Sequence, residues 1–193
     1  MARLIDHAEQ TAQQAGVDVL RIDSARQTGN TFGERLSGAM QQAFASGYEQ
    51  LLVIGNDCPG LDARRLRRAL AELARTGAVL GPATDGGVYL LGITRAYFSA
   101  ASWAALPWQT AALGYALAAK LAAAGASVQF LPRLADVDNE QDLARALRQP
   151  LARPLLRALR WLRQAPALCL RPARMGLRPA FAEAYPHRGP PNC

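Results

Sequence analysis

Two loops of this sequence place an acidic residue soon after an apolar run, where a sheet protein can hold a reacting group. Residues 51–54 (LLVI) are followed by Gly55, Asn56 and Asp57, and then by a Cys-Pro-Gly turn. Ligands of open α/β sheets bind beyond the carboxyl ends of strands, and Mg²⁺ or Mn²⁺ takes carboxylate oxygens there and shares them with phosphates. Asp57 is therefore a candidate metal ligand and catalytic residue, unless it only caps the following turn.

The second loop follows residues 78–80 and contains Asp85, Gly86 and Gly87. Two glycines after an acid expose backbone N–H groups, which suit a phosphate or a sugar. Asp-Gly is also a strong turn signal, so an ordinary hairpin is the alternative. We treat Asp85 as a candidate catalytic residue and Asp85–Gly87 as a candidate acceptor or sugar site.

Two further segments carry suitable side chains. Asp136 and Asp138 lie two residues apart, so both would point to the same side of an extended chain, and Asp138 can also cap the next helix. The polar loop from residue 23 to residue 35 opens a helix and can offer N–H groups to an anion. Its candidate nucleotide-binding residues are Gln27, whose amide can contact a base edge, Arg35, which can pair with a phosphate, and Gly29 and Gly33.

Other kinds of site are disfavoured by what the sequence lacks. The two histidines, His7 and His187, lie in a predicted helix and in the C-terminal extension, which argues against a histidine triad or a zinc site. No G-x-G-x-x-G or G-x-x-x-x-G-K-[ST] motif occurs. The three cysteines are widely spaced, which argues against a disulfide framework and, with no signal peptide or long apolar run, favours the cytoplasm.

Alternating helices and strands must position these loops. Hydrophobic periodicity predicts helices over 2–15, 34–46, 63–75, 110–124 and 140–148, and strands over 17–22, 51–54, 78–80, 88–93 and 128–131. Asp62 is predicted as the N-cap of the third helix and Gly77 as its C-terminal stop. The pattern predicts an α/β fold, a three-layer α/β/α sandwich with a mostly parallel sheet. Residues 1–150 form the predicted domain. Residues 151–193 hold eight arginines and one acid and are predicted to form a basic extension with one helix and then poorly ordered chain.

Four segments in this order resemble the bacterial family called domain of unknown function 2064, which is glycosyltransferase-A-like, or nucleotide-diphospho-sugar transferase-like. The patterns are Q-x-G-x-x-F-G-E-R, N-D-C-P-x-L, G-P-x-x-D-G-G-x-Y-L-L-G and D-V-D-N-x-x-D-L, at residues 27–35, 56–61, 81–92 and 136–143. The resemblance covers about residues 3–148. It implies a nucleotide bound over the first half of the sheet, a metal on Asp57 with Asp138 as a second ligand, and an acceptor or sugar near Asp85–Gly87.

The resemblance also implies a first strand in the centre of the sheet that residues 1–193 do not contain. Without it, residues 17–22 and 51–54 are expected to flank a gap or to close together. The favoured function is a metal-dependent glycosyl- or nucleotidyltransferase with a nucleotide or nucleotide-sugar substrate and Mg²⁺ or Mn²⁺. The alternatives are a non-catalytic nucleotide-binding protein and, through the basic extension, a binder of anionic surfaces or nucleic acid. No specific nucleic acid is expected as a partner of the transferase.

Overall fold

A computed structural model describes residues 2–22, 26–137, 140–148, 156, 157 and 159 of the chain. Besides a short 3₁₀ turn at Arg95–Tyr97, it contains six helices and four strands in these ranges: α1 (Ala2–Ala15), α2 (Phe32–Ala45), β1 (Gln50–Ile54), α3 (Ala63–Thr76), β2 (Gly77–Pro82), β3 (Val88–Thr94), α4 (Ala100–Ala104), α5 (Leu113–Ala123), β4 (Ser127–Phe130) and α6 (Glu140–Ala146). No helix among these residues is long and apolar enough to cross a membrane.

The strands form one sheet in the order β1-β3-β2-β4. Strand β3 is antiparallel to both β1 and β2, and β2 is parallel to β4. The α/β fold is confirmed, and three of the four strands run in the same direction, but β3 runs against them, so only one of these three pairings is parallel. The reason is the connection between β2 and β3, residues 83–87, which is too short for the crossover that parallel neighbours need.

Helices cover the sheet on both faces, which confirms the three layers. The two faces alternate along each strand, as the period of a strand requires. Val79 of β2 packs with Leu66 and Leu73 of α3 on one face. Its neighbours Ala78 and Leu80 pack on the other face, in a cluster with Met40 and Phe44 of α2, Trp103 of α4 and Leu117 of α5.

Local signals in the sequence fix the ends of α3. The Asp62 side chain accepts a hydrogen bond from the Arg65 N–H at 2.7 Å, which satisfies one of the free donors at the start of the helix. Gly77 ends the helix with a φ of 76°, a conformation that glycine adopts at little cost. Both roles were predicted, and they place the N-terminus of α3 directly after the Asp57 loop.

Strand β1 lies at one edge of the described sheet, not in its centre, and the strand predicted over residues 17–22 is not formed there. Arg95 N–H donates to Glu49 O, and Gly55 N–H donates to Tyr89 O. The hydrogen bonds of an antiparallel pair alternate along the strand. The N–H and C=O groups of residues 50, 52 and 54 therefore face away from β3, toward an edge with no partner among the described residues.

Most of the predicted C-terminal extension lies outside the described residues. Residues 156, 157 and 159 are helical, and Leu159 is buried against Leu143 and Leu147. At least this part of the basic segment packs on the domain. The boundary at residue 150 stays a prediction.

Candidate functional site

Three loops meet at one rim of the sheet. Strands β1, β2 and β4 run in the same direction, so their carboxyl ends lie on the same side of the sheet, which we call the rim. The Val137 N–H donates to the Asp57 carbonyl at 2.9 Å, and the Leu134 N–H donates to the Pro82 carbonyl at 3.2 Å. These backbone bonds hold the segment after β4 against the loops that follow β1 and β2.

Asp57 lies at this rim, half-buried, just beyond the carboxyl end of β1. Burial raises the pKa of its carboxyl group above the ordinary value of 3.8, and its own backbone N–H lowers it. The negative charges of Asp136 and Asp85 raise the pKa further. Carboxylates from two other loops are thus close enough to disfavour the charged form of Asp57.

Gly55 lets the Asp57 side chain fold back toward the sheet. A Cβ atom on Gly55 would lie 2.6 Å from Asp57 Oδ1, which is closer than Cβ atoms approach other heavy atoms in proteins. The Gly55 N–H is also held at 3.0 Å from the Tyr89 carbonyl by the ladder to β3. A larger residue at 55 would therefore push the Asp57 carboxylate away from its present position.

Asp85 lies in an exposed turn that it stabilises itself. Its Oδ1 atom accepts a hydrogen bond from the Gly87 N–H at 2.8 Å, as expected for a turn-capping aspartate. Gly86 has a φ of 96°, and a Cβ atom there would overlap the Ala111 carbonyl. The turn anticipated from Asp-Gly is present, and it lies at the same rim as Asp57.

Asp136 is a carboxylate that the sequence analysis noted but did not choose as a metal ligand. Its Oδ1 atom lies 3.3 Å from Thr84 Oγ1, which donates to it across the two loops. Asp138, which was preferred as the second metal ligand, lies outside the described residues. The Asp-Val-Asp pattern pointed to both residues, but its spacing could not decide between them.

The donor set at the rim suits a hard divalent cation, because it consists of carboxylate oxygens. Within the described residues, however, no group of three acidic, cysteine or histidine side chains is arranged so that it could hold a metal. Asp57 and Asp136 are the described residues that fit a ligand role best. A complete site needs a donor beyond them.

Cys58 and Tyr89 are buried beneath the rim and contact the backbone of the segment after β4. Burial, with the charge of Asp57, raises the pKa of the Cys58 thiol to about 12, so it stays protonated, and its Sγ contacts the Ala135 carbonyl at 3.5 Å. Burial also raises the pKa of Tyr89 to about 12, and its hydroxyl donates to the Pro132 carbonyl at 2.9 Å. Both side chains hold the segment after β4 in place, and neither is a nucleophile at neutral pH.

The loop before α2 contains the predicted nucleotide-binding residues. Gln27 donates from Nε2 to the Ile22 carbonyl at 2.9 Å, which leaves its amide oxygen for a ligand. Gly29 has a φ of 130°, and a Cβ atom on it would lie 2.6 Å from the Cβ of Glu34. Among the described residues, Arg35 makes a single long contact, of 3.4 Å to the Asn30 carbonyl, which leaves most of its guanidinium donors for a ligand.

Glu34 takes up part of the anion-binding capacity predicted for this loop. Its Oε2 atom accepts from the Asn30 N–H at 2.6 Å and the Thr31 N–H at 3.2 Å, and Thr31 Oγ1 accepts from the Glu34 N–H. This capping box stabilises the start of α2. It also places a negative charge where a phosphate would bind, so Gln27 and Arg35 are better candidates for ligand contacts than the backbone at the helix start.

Residues 105–112 connect the two parts of the site, and sequence reasoning gave them no role. The Trp108 ring lies against Gly33, where an added Cβ atom would be 2.6 Å from its Cδ1, and its Nε1 donates to the Trp103 carbonyl at 2.8 Å. At the other end of the segment, Ala111 packs on Gly86. The sequence feature that could have indicated this contact is Pro107-Trp108-Gln109, between α4 and α5.

A comparison with protein-family models matches residues 3–110 to "Uncharacterized protein conserved in bacteria (DUF2064)". The chain belongs to the DUF2064 family. A search of solved structures finds the crystal structure of a "putative nucleotide-diphospho-sugar transferase" from Desulfovibrio desulfuricans G20, at 34% sequence identity and a TM-score of 0.58. The alignment covers 63% of this chain and 53% of that chain, so this DUF2064 protein spans about half the length of the structure it matches. A search of curated proteins finds no match.

The DUF2064 match includes some site residues and leaves out others. Asp57, Asp85 and the loop from Gln27 to Arg35 fall inside residues 3–110, whereas Asp136 falls outside. The geometry of the rim, and not the family match, is therefore what adds Asp136 to the candidate site of this DUF2064 protein.

Proposed function

We propose that this DUF2064 protein is a metal-dependent transferase that uses a nucleotide or nucleotide-sugar substrate. The observation that carries the proposal is the meeting of Asp57, Asp85 and Asp136, from three loops, at one rim of a nucleotide-diphospho-sugar transferase fold. Sites in such sheets are assembled from several strand ends. Mg²⁺ or Mn²⁺ is the proposed cofactor, and it would offset negative charge on the leaving phosphate.

Each part of the site has a proposed role. Asp57 and Asp136 supply carboxylate oxygens for the cation, with Asp138 as a further candidate. Gln27 and Arg35 contact the base and a phosphate from the loop before α2, where Gly29 and Gly33 allow close packing. The exposed turn of Asp85, Gly86 and Gly87 lies on the side that an acceptor or sugar would approach, with Asp85 as the candidate catalytic residue.

The donor arrangement accommodates both glycosyl and nucleotidyl transfer. Both reactions place charge on a phosphate oxygen, and both need an orienting cation and an open acceptor side. The products separate the two reactions, because glycosyl transfer releases a nucleoside diphosphate or monophosphate, whereas nucleotidyl transfer releases pyrophosphate. Chromatography of products from labelled nucleotide sugars and nucleoside triphosphates would distinguish them.

The deciding experiment is titration of nucleotide binding with and without Mn²⁺. We expect Asp57→Ala to weaken Mn²⁺-dependent binding at least tenfold, or about 1.4 kcal/mol. Asp6→Asn is the matched control, since Asp6 is an exposed carboxylate on α1 and is not one of the candidate site residues. Identical titrations of wild type and Asp57→Ala, or binding that ignores Mn²⁺, would refute the metal role.

A non-catalytic nucleotide-binding protein is the second candidate. It is favoured because the described carboxylates do not complete a three-ligand metal site. This candidate predicts nucleotide binding without turnover of any donor. A transferase predicts turnover that Asp85→Asn and Asp57→Ala both reduce, while Asp6→Asn leaves it unchanged.

A further inference from the structure

The first half of α3 carries a dense group of arginines on its exposed side. Four of the five residues from 64 to 68 are arginine, and the fifth, Leu66, is buried in the core. Arg64, Arg67 and Arg68 are exposed. One face of the helix therefore binds the sheet, and the other presents guanidinium groups to solvent.

Three of these charges are not balanced by an ion pair. Arg65 pairs with Asp62 at 2.6 Å, and Arg67 donates to the neutral carbonyl of Gln14 at 2.9 Å. Among the residues that the structure describes, Arg64, Arg67 and Arg68 make no salt bridge. The face thus keeps three positive charges.

Helix stability does not explain this cluster. The N-terminal end of a helix carries a partial positive charge, which disfavours basic side chains there. The first turn of α3 contains no acidic residue, and Arg64 and Arg65 both lie in it. By contrast, Arg75 lies in the last turn, where the helix dipole favours it, and is paired with Glu72 at 2.7 Å.

The arginine face borders the rim described above. Helix α3 begins at Ala63, directly after the Asp57 loop and its capping residue Asp62. The positive charges of Arg65 and Arg68 act on the Tyr89 hydroxyl, which supports the segment after β4 at that rim. A ligand on this face would bring the carboxylates of the rim close to it.

We propose that Arg64, Arg67 and Arg68 form a docking face for an anionic phospholipid surface. Helix α3 has no aromatic residue, so it lacks the stacking platform of proteins that bind single-stranded nucleic acid. Residues 153–163 combine four arginines with leucines and Trp161, a composition typical of segments that lie in a lipid interface. This inference goes beyond the transferase proposal and does not depend on it.

Co-sedimentation of the full chain with vesicles tests the proposal without any nucleotide. We expect binding to phosphatidylcholine vesicles that contain phosphatidylglycerol, and little binding to phosphatidylcholine alone. Each basic residue near such a surface is worth about fivefold in binding, so replacing Arg64, Arg67 and Arg68 by glutamine should weaken binding on the order of 100-fold. High salt should weaken the wild type in the same direction.

Matched variants separate this face from general charge. Arg75→Gln removes one exposed charge from the other end of α3 and should change binding less than twofold, whereas Arg68→Gln alone should lower it about fivefold. The triple lysine variant keeps the charge and should bind like the wild type. A melting curve should show that the triple glutamine variant stays folded, because removing Arg64 from the first turn relieves the unfavourable helix dipole while Arg67 loses only one exposed hydrogen bond, to the Gln14 carbonyl.

Several outcomes would overturn the proposal. They are failure of the wild type to bind anionic vesicles, equal loss in Arg75→Gln and Arg68→Gln, and loss of binding in the lysine variant, which would indicate a phosphate site that needs the guanidinium geometry. Binding to duplex DNA that the triple glutamine substitution abolishes, without any vesicle binding, would assign the face to nucleic acid instead. Should the triple variant fail to fold, the Arg68→Gln and Arg75→Gln pair decides.

Discussion

The carboxylate of Asp57 is held where its negative charge is disfavoured, so the stability of the folded protein depends on pH. The folded-state pKa is raised above 3.8 by burial and by Asp136 and Asp85, so the folded protein holds the proton more tightly than the unfolded chain. The contribution of Asp57 to stability is present below about 3.8 and is lost as pH rises through the raised pKa. We therefore expect Asp57→Asn to melt at a higher temperature than the wild type at neutral pH.

Thermal melts of the two proteins across pH, without metal, test this expectation. The difference between them should shrink toward zero below pH 3.8, the ordinary value for the carboxyl group. Asp18→Asn is the control, since Asp18 is exposed and should show no comparable gain. An Asp57→Asn protein that melts below the wild type at neutral pH would contradict the electrostatic account.

Gly86 and Gly125 are matched in backbone conformation and differ in the space around them. Both have a positive φ, of 96° and 81°, but only Gly86 has a neighbour that a Cβ atom would overlap, at the carbonyl of Ala111. Gly125→Ala should cost about 1–2 kcal/mol for the left-handed backbone alone. Gly86→Ala should cost more, because the turn or the segment at Ala111 must also move.

Urea denaturation of the two alanine variants measures the difference. The same Gly86 substitution should also disturb Asp85, whose carboxylate accepts from the Gly87 N–H within the same turn. Equal losses of stability at residues 86 and 125 would mean that the loop yields without cost and that the contact with Ala111 is unimportant.

At the scale of elements, neighbouring residues of β1 differ in the direction of their backbone N–H groups, which point alternately toward β3 and toward the open edge. The Val53 N–H faces β3, whereas the Leu52 N–H faces the open edge, as the bonds at Glu49 and Gly55 show. Proline is tolerated on edge strands only where its missing N–H would face solvent. Val53→Pro should therefore destabilise the protein by about 1–3 kcal/mol, because it leaves a ladder carbonyl of β3 without its donor, and Leu52→Pro should cost clearly less.

Chemical denaturation of the two proline variants, with Leu52→Ala and Val53→Ala as controls for lost packing, measures this difference. If Leu52→Pro is as damaging as Val53→Pro, then a further strand pairs with the outer side of β1. The same pair of variants therefore tests the open edge seen here against the central strand expected from the resemblance to the family.

Sequence reasoning worked at this scale where the signals were local. Asp62 and Gly77 marked both ends of α3 because capping depends on neighbouring residues. The strand over residues 17–22 was wrong and the reversed direction of β3 was missed, because pairing is decided by segments far apart in the chain. The hairpin of residues 83–87 was visible as an Asp-Gly turn, yet its consequence for strand direction was not drawn.

The same division applies to the site. Asp57 and Asp85 could be found because each follows an apolar strand. Asp136 was passed over for Asp138, since a two-residue spacing cannot tell which of two carboxylates faces the rim. The contact of Trp108 with Gly33 has no local signal, because it depends on how α4 and the residues after it fold back over α2.

For the whole molecule, the unpaired side of β1 predicts self-association. An uncharged edge strand with free N–H and C=O groups is a template for pairing with another chain. Gln50 is exposed at this edge, so Gln50→Lys should reduce concentration-dependent association without loss of stability. Gln41→Lys, an equally exposed change on α2, should have no such effect in light scattering across a concentration series.

The two variants carry the same added charge, so a general effect of net charge would appear in both. A Gln50→Lys protein that associates as strongly as the wild type would show that the edge is covered in solution. Association that falls equally in both variants would point to charge and not to strand pairing.

The segment from Trp108 to Ala111 has a consequence for how this protein can change over evolutionary time. The Trp108 ring lies against Gly33 at the start of α2, and the Ala111 backbone lies against Gly86 in the acidic turn. A mutation that enlarges Gly33 must displace the Trp108 ring, and one that enlarges Gly86 must displace the backbone at Ala111, so both act on the same short segment. Positions 33 and 86 lie far apart in the gene, yet the effect of a substitution at one is expected to depend on the residue at the other.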